Sequence, residues 1–333
     1  MSKNNGYVRF DFYLLQLEQL LTQSVKEKNP ALWLYSNNAR TPLFMLESLA
    51  KIYGAIHNKK KFGKLKEHFK LLEDGIGSID YYDSFAKEFA ANPNIPAGIT
   101  SYVAAQAREK IQRLNDILSE NEWIGDKPKR ISKMRKKLDE ADWLNAPEEV
   151  SGILRFYQDA IQDIKDFMPR NPEGFTEVEL EVHEMRRKLR WLSIYPQALQ
   201  GVIQLTDSQE NDESCNRYLT TEIVNSPFNK MPDAGINEYL LLLEKKQFLC
   251  LSWMIAELGK LKDNGLRIMV MTEAIQQTEA KSHGSAMHKA CEILGGDDTA
   301  FKNILITATD MCKRYFEEKH LDKLLRGVSQ VKK

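Results

Sequence analysis

Residues 182–192 read VHEMRRKLRWL. At about 100° of rotation per residue, Val182, Met185, Leu189 and Leu192 fall on one apolar stripe, the mark of a helix with a buried face. His183, Arg186, Arg187 and Arg190 gather beside that stripe, and Lys188 lies on the other flank. Arg186 and Arg190 are one turn apart, as are His183 and Arg187, so the four heads can converge on one anion. Guanidinium forks donate two parallel hydrogen bonds to a phosphate, and an imidazole adds a donor and, below about pH 6.5, a charge. The competing reading is a solvated helix face, with Glu179, Glu181 and Glu184 neutralising the bases through local pairs.

The same periodicity extends along the chain. Phe10, Leu14, Leu17, Leu21 and Val25 place a helix over 10–25, and NPALW breaks it. Thr41-Pro42 opens a second helix, with Leu43, Leu46, Leu49, Ala50 and Tyr53 at helical spacing. A third runs through KLKEHFKLLEDGIGSIDYYDSFAKEF, NPNIPAG ends it, and further helices cover about 98–119 and 128–140. The second half repeats this order, with helices at about 147–167, 176–204, 236–276 and 297–324 and a short one in KSHGSAMHKACEIL. Thr176 with Glu179 three residues on matches a capping box. Helix formers dominate and alternating Val, Ile and Thr runs are almost absent, so the expected fold is all-α.

Weak self-similarity at an offset of roughly 142–144 residues suggests duplication. Phe12-Tyr13 recurs as Phe156-Tyr157, and Asn29-Pro30 as Asn171-Pro172. Gly77 corresponds in order to Gly259. The expectation is two pseudo-symmetric four-helix-bundle repeats packed together, over 1–142 and 143–333.

The 333 residues balance 47 Lys+Arg against 47 Asp+Glu, which argues against a generic nucleic-acid or membrane binder but leaves a local patch open. No apolar run approaches the roughly 18–20 residues of a membrane span; YLLLL at 239–243 is short. The first residues lack a basic region leading into an apolar core, so no leader is expected. Cys215, Cys250, Cys291 and Cys312 are widely spaced without a C-x-x-C pair, which suits a reducing cytoplasm better than a disulfide scaffold or a zinc site.

VHEMRRKLRWLSIY resembles the signature helix of the CHAD family, the conserved-histidine α-helical domain, in which a histidine is followed by arginines at helical spacing. LSWMIAELGKLKDN, residues 251–264, is similar to that family's second signature through Leu258, Gly259, Lys262 and Asp263. ARTPLFMLESLAKIY and GIGSIDYYD stand in the corresponding places of the first half. The resemblance implies paired four-helix bundles around a basic cleft that binds inorganic polyphosphate. It carries that role to His183, Arg186, Arg187, Arg190 and Lys262, and to Arg40, which falls roughly where the first half's histidine should be. Leu43, Phe44, Met45 and Glu47 replace the other first-half bases, and Asp80-Tyr81 replaces the basic-Asp pair.

Two other stretches are strongly basic. KPKRISKMRKK, residues 127–137, has seven basic residues in eleven, and HNKKKFGKLKEHFK lies at 57–70. Each reads either as a charged turn or solvated helix, or as a polyanion patch whose grip weakens as salt rises. Metal and catalytic patterns are poor. Glu317-x-x-His320 has no second copy to build a di-iron bundle, and two acidic stretches lack the glycine and glutamate of a calcium loop. His283 and His288 are five apart, and no phosphate loop, dinucleotide fingerprint or serine elbow occurs. The expectation is a non-enzymatic protein without cofactor or metal that binds polyphosphate or a similar anion. The alternative is a helical scaffold for a protein partner.

Overall fold

The computed structural model describes residues 5–125, 128–207, 212–235, 237–297 and 299–331. Among them are twelve α-helices and three strands. They form two compact units: 1–144 with 270–293, and 145–269 with 294–333.

The first unit holds α1 (Asn5–Ser24), α2 (Pro30–Ser36), α3 (Arg40–Ile56), α4 (Lys59–Ala90), α5 (Ala97–Glu120) and α6 (Arg130–Asp139). To these it adds the end of α10 (Lys245–Glu279) and α11 (His283–Ile293). The Asn29-Pro30 step starts a helix as well as ending one. The Asn29 side chain accepts from Leu32 N at 3.1 Å, and Pro30 occupies the first helical position, where its missing N–H costs nothing. Thr41-Pro42 does not cap α3, which starts at Arg40 with no side-chain cap. The core gathers Phe10, Tyr53, Phe62 and Trp143, with ring centroids 5.2–6.2 Å apart. Buried Arg9 donates to Tyr53 Oη at 2.8 Å beside them. Gly6 brings α1 against the indole: a Cβ there would lie 2.4 Å from Trp143 Cε3.

The second unit contains α7 (Ala146–Lys165), a π-helical turn (Val178–His183), α8 (Glu184–Ala198), β1 (Ile203–Thr206), α9 (Thr221–Val224), β2 (Tyr239–Glu244), most of α10, α12 (Ala300–Glu317) and β3 (Leu325–Gln330). The fold is mostly helical, as expected, and the second unit adds a small sheet ordered β1-β2-β3 that the helical periodicity did not announce. β1 runs parallel to β2 with Ile203 opposite Leu241, and β3 runs antiparallel with Val328 opposite Leu241. YLLLL forms the central strand rather than opening a helix. Leu241 and Leu243 are fully buried while Leu240 and Leu242 are half-buried, a period of two that strand pairing on both sides imposes over leucine's helical preference. The helix expected over 176–204 stops at Ala198. Pro196 lies in its last turn, and left-handed Gln200 (φ 49°) and Gly201 (φ 88°) turn the chain into β1. A Cβ on Gly201 would meet Asp233 O at 1.9 Å, so the turn needs glycine. α7 packs on the sheet, and Tyr157 in it donates to Leu192 O at 2.9 Å.

Candidate functional site

The π-helical turn leads directly into α8. Its wider register carries Glu181, five residues after Thr176, back to the start. The Glu181 carboxylate accepts from Thr176 N, from Thr176 Oγ1 at 3.2 Å and from Glu177 N at 2.7 Å. The capping carboxylate is therefore Glu181 and not Glu179. Glu179 accepts instead from His183 Nδ1 at 2.9 Å. That bond holds the Glu179 carboxyl below the usual carboxylate range against the upward push of burial, with help from the charges of Lys262 and Arg187. His183, Arg187 and Lys262 thus surround a carboxylate of their own chain.

The other bases of this helix are also engaged. Arg187 pairs with Glu184 at 2.5 Å, Lys188 pairs with Asp163, and Lys262 pairs with Asp263 at 2.5 Å. Arg186 turns onto α10, donating from Nε to Ile255 O at 3.1 Å, and Arg190 is half-buried on the same helix. Residues 177–190 hold four glutamates against four arginines and lysines, so the segment is neutral apart from His183.

Arg186 also lies over Gly259, where a Cβ would stand 2.9 Å from its Nε. In the first unit Arg40 lies over Gly77, where a Cβ would stand 2.8 Å from Nη2. Ile255 and Glu73 each sit one turn before the glycine. Arg40 donates to Glu73 at 2.6 Å and to Asp80 at 3.2 Å, where Arg186 donates to the Ile255 carbonyl. Each unit therefore has an arginine seated on a helical glycine, with carboxylates built into the first seat.

The two basic stretches at 57–70 and 127–137 come together in the first unit; Lys127 lies outside the described residues. Ile131, Met134 and Leu138 bury one side of α6. Arg135 reaches α1, donating to Asp11 and Glu18 at 2.8 Å each, and those bonds keep its guanidinium charged although burial opposes it. On the remaining side, Arg130, Lys133, Lys136 and Lys137 join His68 of α4 around a cavity of about 310 Å³ whose one acidic lining residue is Glu140. Arg130 donates to Asn121 O at 2.8 Å and lies 3.3 Å from His68 Nε2. Burial lowers the His68 pKa, and Arg130 and Lys137 lower it further. Neutral His68 accepts a hydrogen bond from Arg130 at Nε2 and carries its own proton on Nδ1. Lys133 pairs with Glu122, whereas exposed Lys136 and Lys137 make no ion pair among the described residues.

A third constellation was not legible in the sequence. In the second unit Cys215, Cys250 and His320 are buried, with their ligand atoms within 4.8 Å of one another. The spacing of cysteines along the chain gave no signal of it. Among the described residues, no helix is long and apolar enough to cross a membrane. No family model matches the chain, and neither the curated proteins nor the solved structures include a match.

Proposed function

We propose that this chain is a non-enzymatic binding protein for a phosphate-rich anion of the inorganic polyphosphate type. The anion is taken at the α4–α6 cavity of the first unit. The observation that carries this is the lining: one histidine, one arginine and three lysines against a single glutamate, with Lys136 and Lys137 unpaired among the described residues. Arg130 and the Nδ1–H of His68 offer directed donors, and the lysines supply point charges. A volume near 310 Å³ is at the small end of ligand cavities, so it suits a few phosphate groups at a time. The resemblance of 182–195 and 251–264 to CHAD signatures supports the same ligand class, although the bases there already have protein partners.

Binding of medium-chain polyphosphate, measured at low and moderate salt, tests this reading. Lys136→Glu/Lys137→Glu is expected to remove binding and Arg186→Glu/Arg190→Glu to leave it. The opposite pattern would move the site to the signature helix. No binding at low salt would refute the function and leave the second reading, a helical scaffold for a protein partner. The internal charge balance of residues 177–190 favours that alternative.

A further inference from the structure

Three segments far apart in the sequence meet in the second unit: the 3-10 turn Glu213–Arg217, the start of α10 and the turn after α12. Cys215, Cys250 and His320 are each at most 1% exposed. Cys215 Sγ lies 4.0 Å from His320 Nδ1. The other ring nitrogen, Nε2, lies 2.9 Å from Glu318 Oε2. Glu318 is fixed in turn by Tyr218 Oη at 2.6 Å and Arg217 at 2.9 Å.

We propose that Cys215, Cys250 and His320 Nδ1 bind a zinc ion that ties these three segments together. A carboxylate partner requires the proton on Nε2, which leaves the Nδ1 lone pair facing inward. There it meets Cys215 Sγ and, at 2.7 Å, Gln247 Oε1, which is itself an acceptor.

The Nδ1 lone pair and the two thiols form a compact buried donor set, with their ligand atoms within 4.8 Å of one another. The arrangement of a histidine ligand whose far nitrogen donates to a carboxylate is the outer-shell pattern that orients metal-bound imidazoles and raises their basicity. Tetrahedral zinc with Zn–S near 2.3 Å and Zn–N near 2.0 Å puts sulfur and nitrogen about 3.5 Å apart. The 4.0 Å observed therefore needs a closure of only about half an ångström. Gln247 Oε1, 2.7 Å from His320 Nδ1, is a further oxygen donor beside the cluster.

On binding, two S–H bonds break, two zinc–sulfur bonds form and two protons leave for solvent. A dication with two thiolates and a neutral imidazole sums to zero charge, which a buried site tolerates. Thiolates also favour zinc over the harder magnesium or calcium. Of the charged groups nearby, Asp212 is paired with Lys323 at 2.6 Å, Glu318 is paired with Arg217, and Glu244 accepts from Gln247 N at 2.7 Å.

The test uses the full chain purified under reducing conditions. Metal analysis is expected to find about one zinc per chain. Cobalt(II) substitution should give a thiolate-to-metal charge-transfer band with the intensity of two sulfurs. Cys250→Ser should lose the metal, Glu318→Gln should weaken its affinity by about 10–100-fold, and Cys291→Ser, outside the cluster, should change nothing. If Cys250→Ser does not fold, the cobalt band of the unaltered chain decides. A reduced chain with neither zinc nor the cobalt band overturns the proposal, as does a Cys215–Cys250 disulfide.

Discussion

Replacing Gly259 by alanine forces the Arg186 seat to choose between a new side chain and its hydrogen bond. The added Cβ would stand 2.9 Å from Arg186 Nε, about 0.6 Å inside the closest favourable contact of roughly 3.5 Å. Backing away from α10 by that amount stretches the 3.1 Å bond from Nε to Ile255 O beyond hydrogen-bonding range. Losing a bond from a charged donor costs about 1.5–3 kcal/mol. Alanine in a helix interior returns about 0.8–1 kcal/mol over glycine. The expected net loss is about 0.5–2 kcal/mol, read by thermal and chemical denaturation. Gly63→Ala in α4 is the control: its Cβ would meet nothing within 4 Å, so it should stabilise by about 0.5–1 kcal/mol. The double variant Gly259→Ala/Arg186→Ala should be no less stable than Arg186→Ala alone, because the clash is gone. A Gly259→Ala protein as stable as Gly63→Ala, or additive losses in the double variant, would refute the seat.

Gly6→Ala should destabilise by about 1–3 kcal/mol, because the indole of Trp143, 2.4 Å from the new Cβ, is wedged among Phe10, Tyr53 and Phe62 and cannot swing aside; a melt reads this. The Glu179 carboxyl should titrate below the ordinary glutamate value by carbon-detected NMR, and His183→Asn should return it toward that value. Its folded pKa is depressed, so the stability it contributes is present above the unfolded value of about 4.3 and is lost as pH falls through the folded value. With half of the Glu179 side chain exposed, the amount is only a fraction of a kcal/mol. Cobalt spectra and metal content of the cysteine–histidine cluster supply a further, independent test.

The long helices were legible because their apolar residues recur every three to four positions, and α5, α6 and α7 begin within two residues of the expected places, whereas α4 starts five residues before the expected Lys64. Strands were not legible. Leu240–Leu243 has the composition of a helix, and only pairing with segments some forty residues before and eighty after makes it a strand. The basic residues of the signature helix were legible as a cluster, but their partners were not. Glu179 pairs with His183 because a π-turn shifts the capping duty to Glu181, and Asp163 comes from a different helix. The matching seats of Arg40 and Arg186 were half visible through Gly77 and Gly259, whose order was kept while their spacing drifted. Cys215 and Cys250 carry no local pattern, and Glu317-x-x-His320 pointed only to a di-iron bundle, because three separate segments each deliver one member of the cluster.

The measurement closest to the central claim is polyphosphate affinity across a salt series for the unaltered chain and the two charge-reversal pairs. Binding that weakens as salt rises is expected, lost in Lys136→Glu/Lys137→Glu and kept in Arg186→Glu/Arg190→Glu. Undiminished binding by the α6 variant, or none by the unaltered chain at low salt, would contradict it.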